Sequence, residues 1–168
     1  MVTRAVDFTP DRNYFITYTI FRRISILRTE NYFDLIYDWF DYMKTHYDNK
    51  IHGYIIKPNH LHLLLSISEY SPDVSRLVQN AKRFQVYSIV KYPEEYNRKV
   101  ILKIFSAAAE KEKGAKHKVF EDRFDSKEMI NSVLYREKLN YIHNNPSTPK
   151  RRPAENLKTI NIQALQII

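Results

Sequence analysis

The chain has 168 residues, of which 43% are hydrophobic and 27% charged, and it contains no cysteine. This size and balance are typical of one folded domain with a substantial core, and the lack of cysteine excludes disulfides, thiolate metal sites and a cysteine nucleophile. Lysine and arginine outnumber aspartate and glutamate by 27 to 19, a net charge of +8 that favours a polyanionic partner such as nucleic acid.

The first half of the chain alternates strand and helix patterns. Residues 14–20 are aromatic and β-branched, which predicts a strand. Apolar residues at helical spacing over 33–47 predict a helix. Two further strands are expected over 51–57 and 60–67, joined as a hairpin by Pro58-Asn59.

The second half contains more helix. Ser71-Pro72-Asp73 is typical of a helix start with proline at the first helical position, and the apolar stripe that follows ends at Phe84. Another helix is expected from about 95 to 113, and a strand over 119–124. Ser126 is expected to cap the last helix.

This order predicts an α+β fold, a ferredoxin-like (RRM-like) antiparallel sheet with helices on one face and a further C-terminal helix. We expect one domain over 1–146 and a basic, proline-containing tail over 147–168. No apolar run is long enough to span a bilayer, and residues 1–7 lack a signal-peptide pattern. We therefore expect a cytoplasmic protein, associated with the nucleoid if its partner is DNA.

Two histidines stand two positions apart in the third predicted strand. Side chains at this spacing point to the same face, so His60 and His62 would lie side by side while Leu61, Leu63 and Leu65 point into the core. Two neutral imidazoles that converge form half of a metal site. Surface histidines, or core histidines held by hydrogen bonds, give the same pattern.

A second motif, Asn140–Pro146, lies at the end of the last predicted helix. Tyr141 and Asn145 are four positions apart, so on a helix they would share a face. A phenol, an amide oxygen and two imidazoles would suit attack by tyrosine on a phosphodiester, with a metal ion polarising the phosphate oxygens. The alternatives are a tyrosine that only packs and an asparagine that only ends the helix before proline.

The two motifs together, Pro58–His62 and Asn140–Pro146, resemble those of the REP-associated tyrosine transposases. These enzymes are relatives of the small insertion-sequence 200/605-type transposases, in the HUH endonuclease superfamily, which is named after its His-hydrophobic-His motif. The likeness runs from about Tyr14 to Pro146 and includes Asn80–Phe84 and Val119–Asp125. After Pro146 the chain departs from the family, whose members continue with an apolar stretch and an aromatic-Ser-Ser segment.

The resemblance implies a divalent ion, Mg²⁺ or Mn²⁺, held by His60, His62 and Asn145, and a nucleophile at Tyr141. Zn²⁺ also suits such ligands. It further implies cleavage of single-stranded DNA near hairpins, through a 5′-phosphotyrosine intermediate that leaves a free 3′-hydroxyl and can be rejoined by a second transesterification. Whether the site forms within one chain or across a homodimer stays open.

Basic side chains are candidates for holding the DNA backbone: Arg22, Arg23, Lys82, Arg83 and Arg123. Two other functions stay open beside the transposase-like one. The first is a basic single-stranded DNA- or RNA-binding module of the same fold without catalytic activity, and the second is a small metal-dependent hydrolase that activates water. The three differ at Tyr141, because only the transposase-like function requires its phenol.

Overall fold

The computed structural model of the chain describes residues 9–27, 30–91, 98–109 and 114–145. These contain β1 (Arg12–Ile20), a short 3₁₀ turn (Phe21–Arg23), α1 (Glu30–Tyr47), β2 (Lys50–Lys57), β3 (His60–Ile67), α2 (Val74–Lys91), α3 (Arg98–Ala107), β4 (Phe120–Glu128) and α4 (Ser132–His143). The strands form one antiparallel sheet in the order β2-β3-β1-β4. The predicted ferredoxin-like fold is confirmed.

The main hydrophobic core lies on the face of the sheet covered by α1 and α2. Ile16 of β1 and Phe40 of α1 are buried in it. Leu61, Leu63 and Leu65 of β3 are at most 4% exposed and belong to the same core. The prediction that these leucines point away from the two histidines is confirmed, because alternate residues of a strand face opposite sides.

A smaller core lies on the opposite face of the sheet. Phe15, Ile55 and Leu64 alternate along their strands with residues of the main core, and they pack with Met129 and Ile142. Ile142 belongs to α4, so this helix covers the face opposite to α1 and α2. The helices α1 and α2 share one face of the sheet, as predicted. Helix α4 forms a third layer on the other face, because its apolar residues close the smaller core.

Two predicted helix starts are wrong. Ser126 lies within β4, where pairing with β1 satisfies the backbone, and α4 is capped by Asn131, whose side chain accepts a first-turn backbone N–H at 2.9 Å. The second helix begins after Asp73, whose Oδ1 accepts the backbone N–H of Arg76 at 2.9 Å, and not at Pro72. In both places a side chain able to cap the helix lies nearer to its first turn.

The prediction that Phe84 belongs to the buried apolar stripe of α2 is also wrong. Phe84 is 36% exposed and rests against Trp39, with ring centroids 5.7 Å apart. The next residue, Gln85, is buried instead. Its burial is tolerated because its Nε2 donates a hydrogen bond of 2.7 Å to Tyr18 Oη.

Some expectations lie outside the described residues. These are the basic tail over 147–168, together with residues 95–97 and 110–113 of the third predicted helix. Across the ranges that the structure describes, no helix is both long and apolar enough to cross a membrane.

Gly53 of β2 lies directly under α4, and its size sets how closely that helix approaches. A Cβ at this position would lie 3.2 Å from Ile142 Cδ1 and 3.3 Å from its Cγ2. We expect Gly53→Val to lower the free energy of unfolding by about 1–3 kcal/mol through overpacking. Urea denaturation followed by circular dichroism measures the change.

A double variant provides the control for this prediction. Adding Ile142→Val removes one methylene from the crowded contact, so the double variant should lose less stability than the sum of the two single changes. Gly53→Val with unaltered stability would show that α4 does not rest on this strand.

Candidate active site at the histidine pair

The structure brings one histidine and the tyrosine together although they are far apart in sequence. His62 lies on the face of the sheet that α4 covers, and Tyr141 projects from α4 beside it. Tyr141 Oη is 3.5 Å from His62 Nε2, with ring centroids 5.5 Å apart. The neighbouring residue Ile142, anchored in the smaller core, brings Tyr141 to this position.

Hydrogen bonds orient both imidazole rings. His62 Nδ1 is 2.8 Å from Oγ1 of Thr17, its cross-strand neighbour, and His60 Nδ1 is 2.6 Å from Asn59 Oδ1. An amide oxygen can only accept, so the His60 Nδ1 donates and the Nε2 of the neutral ring keeps its lone pair. The ring centroids of His60 and His62 are 4.8 Å apart. Such partners on Nδ1 are typical of histidines that bind a metal through Nε2.

The surroundings of both imidazoles favour their neutral form. Burial, reinforced by the positive potential of His60, Lys57 and Lys138, lowers the pKa of His62 from 6.5 to about 4. Burial, with Lys57 and Arg23, also lowers the pKa of His60. Metal ions bind the neutral form of imidazole, so this environment fits a pair of metal ligands.

Asn145, the predicted third ligand, lies just beyond the end of α4. Its Oδ1 accepts a hydrogen bond of 3.0 Å from Nζ of Lys57, the cross-strand neighbour of His60. This places Asn145 at the same end of the sheet as the histidine pair. Among the described residues, no group of three His, Cys, Asp or Glu side chains could hold a metal ion. The candidate ligand set contains only two side chains of these types, His60 and His62, and its third member is the amide of Asn145.

Several contacts of the site were not predicted from the sequence. Phe15 stacks on His62 with ring centroids 5.5 Å apart. Nζ of Lys138 lies 4.7 Å from the centroid of the Phe15 ring and 5.9 Å from that of Tyr141. The spacing of Lys138 and Tyr141, three apart on one helix, is a signal that could have identified the lysine. The Phe15 ring and the Lys138 ammonium group therefore lie next to the Tyr141 phenol, on one side of the candidate site.

The predicted DNA-binding arginines lie in different places. Arg22 and Arg23 are exposed in the turn after β1, where Asn59 Nδ2 donates a hydrogen bond of 3.2 Å to the Arg23 carbonyl. They therefore lie at the end of the sheet that carries His60. Arg83 on α2 and Arg123 on β4 are exposed as well.

Lys82 is engaged with the protein itself. Its Nζ donates hydrogen bonds to the carbonyl oxygens of Glu121 at 2.6 Å and Asp122 at 3.2 Å. Burial lowers the pKa of this ammonium group to about 8, although the two acidic side chains oppose the shift. It ties α2 to the start of β4, on the side of the sheet opposite to the histidine pair.

The lowered pKa of His62 predicts a pH-dependent stability of the metal-free protein. Its folded pKa, about 4, lies below the unfolded value of 6.5. The resulting stabilisation is fully present above pH 6.5 and is lost as the pH falls from 6.5 toward 4. We expect the free energy of unfolding to fall less over this interval in His62→Gln than in the unaltered chain. Urea denaturation at pH 7 and pH 4.5 measures the difference.

Lys57→Met tests the electrostatic part of this shift, because removal of the ammonium group should raise the pKa values of both His60 and His62. A proton NMR titration of the histidines measures them. Lys50→Met is the matched control on the same strand, because Lys50 acts on His52. If Lys57→Met left the pKa values of both site histidines in place, the proposed electrostatic cause would be wrong.

The comparisons with known proteins support the fold. No family model and no curated protein matches the sequence. Among solved structures, a REP-associated tyrosine transposase bound to a REP hairpin superposes with a TM-score of 0.60 and 18% identity, covering 87% of this chain and 73% of that one. A proposed transposase from Deinococcus radiodurans R1 gives a TM-score of 0.50 and 14% identity, covering 85% and 97%. The fold implied by the resemblance in the sequence is therefore confirmed.

Proposed function

We propose that this protein is a transposase-like endonuclease that cuts single-stranded DNA near hairpins and rejoins strands through Tyr141. The observation that carries this proposal is the approach of Tyr141 Oη to within 3.5 Å of His62 Nε2, in a fold shared with transposases. One solved structure of this fold holds a REP hairpin. The decisive test is formation of a covalent protein–DNA adduct that depends on the Tyr141 hydroxyl.

The proposed reaction is a transesterification. Tyr141 Oη attacks a backbone phosphorus, the bond from phosphorus to the 3′-oxygen breaks, and a 5′-phosphotyrosine link forms. The phenol loses its proton and the departing 3′-oxygen gains one. Attack by a 3′-hydroxyl on the phosphotyrosine reverses these changes and releases the phenol. Each step exchanges one phosphoester for another, so rejoining needs no external energy source.

The lowered pKa of His62 favours one of two roles for this residue, metal ligand over general base. An imidazole with a pKa of about 4 is a weak acceptor for the proton of a phenol, whose ordinary pKa is about 10. It is well suited to bind a metal ion. We therefore assign His60 and His62 as ligands of Mg²⁺ or Mn²⁺, with Asn145 as the third. When bound, the ion would supply charge neutralisation at the phosphate oxygens.

The cations around the site have a separate role in binding. Lys138 lies over the rings of Phe15 and Tyr141, and Arg22 and Arg23 are exposed at the same end of the sheet. We assign these side chains to the DNA backbone on either side of the cut. Such contacts weaken as salt rises, since binding releases counterions from the DNA.

Asn145 provides a test of the ligand set that does not depend on cleavage. Asn145→Ala removes the amide oxygen, so we expect Mn²⁺ affinity to fall at least about tenfold, in the range seen when contacts of a metal site are lost. Asn145→Asp keeps an oxygen and adds charge, and should retain binding. Isothermal titration of the DNA-free protein with Mn²⁺ measures both.

The exposed neighbour Asn144 offers a control on the same helix end. Asn144→Ala should leave Mn²⁺ affinity unchanged. Equal affinity in Asn145→Ala and Asn144→Ala would remove Asn145 from the ligand set while leaving the two histidines in place.

One observation favours a second candidate, a binding module without catalysis. The Tyr141 ring is 40% exposed and lies beside Phe15 and the Lys138 ammonium group, an arrangement that suits stacking on an unpaired base. In that case Tyr141 would act through its ring alone. A phenylalanine at this position would then preserve the whole function.

A further inference from the structure

A second candidate site lies away from the histidine pair, on the α2 side of the sheet. A cleft of about 970 Å³ opens between α2, residues 114–119 and the start of β4. This volume is at the upper end of the roughly 300–1,000 Å³ of small-molecule pockets. Because α2 and α4 lie on opposite faces, the cleft is separate from Tyr141.

The cleft carries more positive than negative charge. Four Lys or Arg side chains line it against two acidic ones, Glu121 and Asp122. Lys118 forms an ion pair of 2.6 Å with Asp122, and Lys82 is engaged by backbone carbonyls. Arg83 and Lys116 are exposed, and neither forms an ion pair within the part of the chain that the structure describes. Two cationic groups are therefore available to an anion.

Next to these cations lie an apolar lining and an exposed ring. Val86, Val90 and Val119 line the cleft. Tyr87 is 73% exposed and stacks on no other ring among the described residues. It follows Arg83 by four positions, so the guanidinium and the ring share one face of α2. An exposed tyrosine beside a cation suits a flat ligand that carries negative charge.

We propose that this cleft binds a short stretch of unpaired nucleic acid. A base stacks on Tyr87 above the valines, and the flanking phosphates contact Arg83 and Lys116. An unpaired strand fits better than a duplex, because paired bases do not offer their faces to a ring. The inference goes beyond the proposed transesterification, since a protein that only binds nucleic acid could use the same cleft.

The proposed phosphate contacts of Arg83 and Lys116 are tested by fluorescence anisotropy with a labelled eight-nucleotide oligo-dT. The full chain is used, in buffer containing EDTA and 0.1 M salt. The double variant R83E/K116E should bind at least tenfold more weakly and show a shallower dependence on salt. The control R76E/K103E makes the same charge change at exposed residues outside the cleft and should weaken binding less than threefold. Equal losses in the two variants would overturn the proposal.

The proposed stacking of a base on Tyr87 has its own matched controls. Tyr87→Ala should weaken binding at least about fivefold, whereas Tyr87→Phe should leave it unchanged, because stacking needs the ring and not the hydroxyl. Tyr70→Ala removes a ring that is 71% exposed but lies outside the cleft, and should have no effect. Unchanged binding by Tyr87→Ala, or equal competition by a duplex of the same length, would refute base stacking.

These results are distinguishable from a failure of the proposed function. The cleft variant Tyr87→Ala, supplied with saturating DNA and Mn²⁺, should still form the covalent adduct, since Tyr141 is untouched. If no variant and no unaltered protein forms the adduct, the transesterase proposal fails, and the binding measurements in EDTA still decide the cleft.

Discussion

Tyr141→Phe is expected to eliminate the covalent protein–DNA adduct, reducing its rate of formation on the order of 10³-fold or more, as loss of a nucleophile does. The fold should persist, because the ring contacts with His62 and Phe15 do not require the hydroxyl. The phenol is partly exposed, and its hydroxyl approaches His62 Nε2 only to 3.5 Å. Oligonucleotide binding should therefore survive.

The position of the label makes this measurement specific. A 5′-phosphotyrosine link joins the protein to the downstream fragment, so a hairpin oligonucleotide labelled at its 3′ end should give a slowly migrating band on a denaturing gel. A 5′ label should appear on a shorter strand whose free 3′-hydroxyl a polymerase can extend. The unaltered protein should give both products in Mn²⁺.

Tyr135→Phe is the matched control, because Tyr135 lies on the same helix and is half-buried against the sheet. This variant should keep the adduct. Cleavage that persists in Tyr141→Phe would favour a hydrolase that activates water. Binding without cleavage by the unaltered protein would favour the binding module.

His62→Ala should abolish Mn²⁺-dependent cleavage, again by on the order of 10³-fold, and lower Mn²⁺ affinity at least about tenfold. The substitution removes the Nε2 that faces Tyr141, and it leaves Thr17 Oγ1 without its 2.8 Å partner. Loss of the ring also opens space beside Phe15. DNA affinity should change little, because contacts between basic side chains and the DNA phosphates supply most of it.

His143→Ala is the control for this variant, since His143 lies on α4 near Tyr141 and is exposed. It should retain both cleavage and Mn²⁺ binding. Titration with Mn²⁺ and the adduct assay together check the result. Cleavage by the unaltered protein in EDTA, or full Mn²⁺ affinity in His62→Ala, would contradict the assignment of this histidine as a ligand.

Local patterns were sufficient to predict much of the fold. The alternation of His60, Leu61 and His62 defines two faces of β3, and burial follows it because a strand has a period of two. The capping preference of Ser126 does not predict its place, because β4 continues through this residue by pairing with β1. The burial of Gln85 does not follow from local pattern, because a buried amide needs a hydrogen-bond partner and that partner, Tyr18, lies on β1.

The sequence by itself determined the order of elements, the shared face of the two histidines, and the placement of Tyr141 near the end of a helix, because these follow from short-range periodicity and turn chemistry. Only the tertiary structure decided that α4 lies on the histidine face, and that Lys57 and Lys138 belong to the site. Helical periodicity says which side of α4 is buried, but not which face of the sheet receives it. That choice is expressed in the packing of Ile142 with Phe15, Ile55 and Leu64 and close to Gly53, contacts between residues distant in the chain.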